Sequence, residues 1–126
     1  MSLSDILFLI AAGLSVLGAL AHEVAGAPKV LKPLEGSGLP KDVIWLHHFS
    51  WHVGTVAVLA MAAQFLLAIW HPAGDIFAII ATLTSAGFAV LGITLASFGN
   101  KALWHTPAPY PWTLIAVLGG VGLWLG

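Results

Sequence analysis

Residues 75–98 read DIFAIIATLTSAGFAVLGITLASF. After Asp75 no charged side chain follows until Lys101. A hydrocarbon core about 30 Å thick takes about 20 residues of α-helix rising about 1.5 Å each. The stretch therefore reads as a transmembrane helix. Working outward, similar apolar runs occupy about 42–70 upstream and about 4–25 near the N-terminus. A fourth, about 110–126, is marginal in length and needs local bilayer thinning or shelter from its neighbours. Short connections force neighbouring helices to run in opposite directions. The expected fold is an all-α integral membrane protein: a single transmembrane domain over 1–126, built as an antiparallel up-down bundle of four transmembrane helices.

Composition agrees. Of 126 residues, 60% are hydrophobic and 7% charged, against about 45–50% and about 25% in soluble domains. So few charges cannot cover a soluble surface, so the surface faces lipid or other protein. The net charge of −1 and the lack of any basic run argue against nucleic acid as a partner. There is no cysteine, which excludes disulfides and thiolate metal ligands. The N-terminal run lacks a basic start and ends in His22-Glu23, not in a small-x-small cleavage site, so it reads as a retained helix.

The connections carry turn chemistry. Pro28, Pro33, Gly36, Gly38 and Pro40 are expected to break the first loop, and Asp42 to cap the second helix. His71-Pro72-Ala73-Gly74 suits a tight turn with Asp75 as N-cap. Gly99-Asn100 suits a helix stop, and Pro107, Pro109 and Pro111 an extended lead into the fourth helix. Lys29, Lys32 and Lys41 lie in or beside the first loop and Lys101 in the third, whereas Asp5 and Asp75 lie at the opposite ends. The positive-inside bias then puts these loops in the cytoplasm and both termini outside, in a bacterial inner membrane. Trp45, Trp70, Trp104 and Trp112 fall near helix ends, as interfacial belts require.

Small residues form stripes at helical spacing: Ala11, Ser15, Gly18 and His22 on the first helix, and Thr82, Ser85, Ala89, Gly92 and Ala96 on the third. Such stripes let helix backbones approach in lipid, and the reading is bundle packing.

Six histidines against four lysines and no arginine is the chemical oddity. His48 and His52 share one helix face with Thr55, while His47 points about 100° away. In the expected topology His22, His48, His52 and His105 lie at one end of the bundle and His71 at the other. His22, His48 and His52 are therefore the candidate metal ligands, with Glu23 and His105 as additional members. Imidazole is the commonest biological metal ligand, and such a set suits a transition metal such as Zn, Cu or Fe. Two histidines on facing helices also suit haem, and one suits a chlorophyll magnesium. Histidines near a bilayer surface equally hydrogen-bond backbone, water or headgroups, and H-x-x-x-H arises often in a His-rich chain. The sequence holds no H-E-x-x-H, Walker A or G-x-S-x-G; His22-Glu23 begins like the first of these, but Gly26 stands where its second histidine belongs.

Ala21-His22 with Gly26, then Leu31-Lys32-Pro33-Leu34, then Trp51-His52-Val53-Gly54-Thr55, resemble a group of small bacterial four-helix membrane proteins with no known activity. The likeness covers the first half of the chain and implies no function. Small multidrug transporters carry a glutamate in mid first helix, where this chain is apolar, and fluoride channels need an arginine motif that is missing here. The expected role is a non-enzymatic accessory subunit of a larger membrane complex, partnered by lipid and by other subunits or further copies of itself. The alternatives are a stand-alone metal- or haem-binding membrane protein, and a small proton-coupled transporter or channel working as an oligomer.

Overall fold

A computed structural model describes all residues, Met1–Gly126. It is all-helical, with four main helices: α1 (Leu3–Glu35), α2 (Lys41–Trp70), α3 (Gly74–Gly99) and α4 (Pro111–Leu125). The first three are long and apolar enough to cross a membrane, whereas α4 is only 15 residues long.

The first loop departs from expectation. The helix predicted to stop near residue 25 continues to Glu35, through Pro28 and Pro33. Five residues, His22–Gly26, form a π turn in which Ala27 N–H bonds to His22 O. Proline inside an α-helix removes an amide donor and drives its ring against the carbonyl four residues back. The wider turn just before Pro28 absorbs that clash, and Pro33 comes so near the helix end that little of the ladder is lost. The true break is Gly36 to Pro40, where Gly38 takes a positive φ of 73°. A second π turn, Leu95–Gly99, closes α3.

Two expected caps are corrected. Asp42 and Asp75 lie in the first turns of α2 and α3, not at their N-caps, which are Pro40 and Ala73 without side-chain bonds. Gly74 already begins α3, because a Cβ there would run into the Ala68 carbonyl and only glycine closes that corner. Both aspartates still favour the positive helix end. The cap the sequence reading missed is Ser2, whose hydroxyl accepts from Asp5 N–H at 3.0 Å while Asp5 accepts from Ser2 N–H. Asn100, the expected stop, accepts from Ala102 N–H at 3.0 Å. A short 3-10 turn, Lys101–His105, and not an extended lead alone, then connects to α4.

The core is made of small residues around a few rings. Ala11, Ser15, Ser85, Ala89 and Ala96 of the two stripes are buried, and Gly18 meets Trp112. Ala78 and Ala81 extend the α3 stripe towards its start. Phe65 is fully buried and its ring lies 6.1 Å from that of Phe8. Glycines of α4 complete the contact: a Cβ at Gly119 would collide with Thr82 and the Phe65 ring, and one at Gly122 with the Phe8 ring. Ser4 Oγ donates to Gly122 O at 2.7 Å and Ser85 Oγ to Trp112 O at 2.8 Å, so hydroxyls stitch α4 to α1 and to α3. The outside, in contrast, is lined by exposed leucine, isoleucine, valine and aromatic side chains.

Candidate functional site

The polar side chains gather where the π turn of α1 meets the first half of α2. A π turn inserts one extra residue per turn, which rotates the side chains on it relative to the helix below. His22 and Glu23 thereby both address α2. The His22 ring stacks on Trp51, 3.9 Å between centroids and 11° from parallel. Its Nε2 lies 3.2 Å from Trp51 O, where it donates. Gly26 makes room for this stack, since a Cβ there would stand 2.9 Å from the Trp51 ring edge.

Glu23 accepts through one oxygen from two partners on α2: Thr55 Oγ1 and His52 Nδ1, the latter at 3.1 Å. One helical turn away, His48 Nε2 lies 3.3 Å from Glu35 Oε1 on the last turn of α1. The two α2 histidines thus each meet an α1 carboxylate. A carboxylate on Nδ1 orients the His52 ring and leaves Nε2 as its unengaged nitrogen. The His52 side chain is 54% exposed.

Of the sequence-predicted site residues, His48 and His52 share a face as expected, with ring centroids 6.4 Å apart. The structure brings Glu23 and His52 into contact, and gives His22 and His48 other partners. It holds no group of three or more His, Cys, Asp or Glu placed to hold a metal ion. His105 is exposed in the 3-10 turn and bonds to none of the others. His47 bonds back to Val43 O at 2.8 Å, and His71 accepts from Ala73 N–H at 3.1 Å in the second turn.

Sequence reasoning missed Trp51 and Glu35. Trp51 follows His47 and precedes Thr55 by four residues each, a spacing that gave no reason to pair it with His22. Its indole Nε1 is buried without a hydrogen-bond partner. Replacing Gly26 by valine should push Trp51 off His22 and destabilise the protein by about 1–3 kcal/mol, the cost of overpacking a filled site. Gly36→Ala, which has only one backbone oxygen nearby at 3.9 Å, should change little. Thermal unfolding in detergent compares the two. No protein-family model, curated protein or solved structure matches the chain, so the side chains themselves carry the functional reading.

Proposed function

We propose that the protein is an integral membrane protein of the bacterial inner membrane, an antiparallel four-helix bundle with both termini outside. Its role in this reading is that of a non-enzymatic accessory subunit of a larger membrane assembly. Spacing supports the membrane part. Trp45 and Trp70, both about 70% exposed, lie near the two ends of α2 and stand about 37 Å apart at helical rise. That falls between the hydrocarbon thickness of about 30 Å and the full bilayer of about 40–45 Å. Pairing of Phe8 with Phe65 and of His22 with Trp51 supports opposite directions for α1 and α2.

Gln64 carries the subunit part. It lies on α2 between these tryptophans and is only partly covered by the bundle. The hydroxyls of Ser4, Ser15, Thr55, Thr84 and Ser85 find carbonyl or carboxylate partners, that of Thr82 is buried without one, and none of the side-chain bonds reaches this amide. An amide left unpaired in hydrocarbon is costly, and a helix of another chain supplying donor and acceptor removes that cost. Gly13 and Gly87 face outwards with open space around them, which suits close approach of further helices. Native mass after gentle extraction tests this: a co-purifying assembly should form and Gln64→Leu should release the chain from it. A monomer identical in wild type and variant would sink the subunit reading.

His52 favours a second reading, a metal- or haem-binding membrane protein. Glu23, itself held by Thr55, meets its Nδ1, and its other ring nitrogen would be the one to ligate a metal ion or haem iron. An absorption spectrum of the same preparation decides it: a Soret band lost in His52→Ala supports the reading, and a colourless, metal-free protein refutes it.

A further inference from the structure

Where α1 ends and α2 begins, Glu35, Lys41, Ile44, Trp45 and His48 line a pocket of about 270 Å³. The lining is half polar and of mixed sign. Glu35 is held by His48 at 3.3 Å yet remains 57% exposed. Lys41 shares the pocket but has no carboxylate partner, since Glu35 lies against His48 and Glu23 against His52. Trp45 is 69% exposed and its ring stands 5.1 Å from His48.

Depth fixes what can reach this pocket. The proposed membrane function sets Trp45 at the bilayer surface, where tryptophan sits among headgroups. That layer is rich in water, ions and lipid headgroups. We propose that the pocket binds a phospholipid headgroup of the phosphoethanolamine type, one phosphate and one ammonium. Lys41 takes the phosphate, Glu35 takes the ammonium, and the Trp45 ring covers the ammonium from the side. Ile44 meets the start of the glycerol. A headgroup with a net negative charge fits worse, because Glu35 has no cation to meet in it and Asp42 stands beside Lys41. The volume is at the small end of ligand pockets of about 300–1,000 Å³ and suits a headgroup alone.

The inference rests on the membrane reading, and the two fail separately. Purified, delipidated protein is offered phosphatidylethanolamine and phosphatidylglycerol in equal amounts, and retained lipid is counted by native mass spectrometry. Wild type should keep the ethanolamine lipid about fivefold over the glycerol lipid, as one half-exposed ion pair, Glu35 with the ammonium, allows. Glu35→Gln should abolish that preference. Lys41→Gln should lower retention of both lipids, and Lys101→Gln, away from the pocket, neither. Circular dichroism confirms that each variant stays helical. Equal retention by wild type, or a preference that survives Glu35→Gln, overturns the proposal. Soluble phosphoethanolamine and inorganic phosphate distinguish the source. If either stabilises the protein as much as ethanolamine-lipid vesicles do, the lipid assignment is overturned in favour of a free phosphate compound. Flotation with vesicles of every composition, without headgroup preference, leaves the membrane reading intact and removes this one; failure to float with any removes both.

Discussion

Replacing Gly119 with leucine is expected to detach α4 from the bundle. A single Cβ at this position already meets Thr82 and the Phe65 ring. Thr82 can turn its hydroxyl aside, but Phe65 is fully buried and has nowhere to go. Forcing a larger side chain into a filled core costs about 1–3 kcal/mol and sometimes more. In lipid the loss weighs heavily, because helices there associate by close packing and not by hiding apolar surface from water. Gly120→Leu is the matched control. It adds the same side chain one residue along, where no atom lies within 4 Å. Unfolding in detergent by increasing SDS should show Gly119→Leu strongly destabilised and Gly120→Leu close to wild type. Equal behaviour would mean that α4 does not pack through this face.

The second large effect is expected at Glu23. Glu23→Leu removes the acceptor shared by Thr55 and His52 and leaves a partly buried hydroxyl without a partner. Stranding such a group costs about 1–3 kcal/mol. Glu23→Gln keeps an acceptor oxygen but loses the charge that strengthens both bonds, so its loss should be smaller. A double-mutant cycle with Thr55→Val isolates the contact. If the bond stabilises the junction of α1 and α2, the two changes together should cost clearly less than their sum, with a coupling of about 0.5–3 kcal/mol. Additive losses would show that Glu23 and Thr55 act independently.

The helical content and the placing of α2 and α3 are legible in the sequence because composition alone decides them: between Asp75 and Lys101 nothing else but a helix suits a charge-free run of that length. The small-residue stripes are legible for the same reason, since helical spacing fixes which residues share a face. Ser15 and Ser85, named from spacing, are fully buried. What spacing cannot give is rotation about an irregular turn. The π turn at His22–Gly26 changes the direction of every side chain after it, so a prolyl segment expected to break the chain continues α1 to Glu35. That continuation carries Glu35 to His48 and gives that histidine a carboxylate partner of its own. The same turn aims His22 at the Trp51 ring. His48 and His52 share a face of α2 as their spacing requires, but the partners of the individual histidines depend on a backbone detail with no sequence signature beyond Pro28. Gly119 and Gly122 escaped for a different reason: in a short, uniformly apolar helix, no polar face marks which side is inward.

The chain has no cysteine, so introduced ones can be read without background. The central claim, a bundle that crosses the membrane, is tested most directly by single cysteines probed with a membrane-impermeant thiol reagent on intact cells. Cysteine at Pro72 or appended after Gly126 should react from outside. Cysteine at Ser37 or Lys101 should react only after the membrane is opened, and cysteine at Leu83, exposed on mid α3, should resist in both states. Reaction of the Ser37 and Pro72 positions from the same side would contradict a membrane-spanning α2, and with it the account built on that helix.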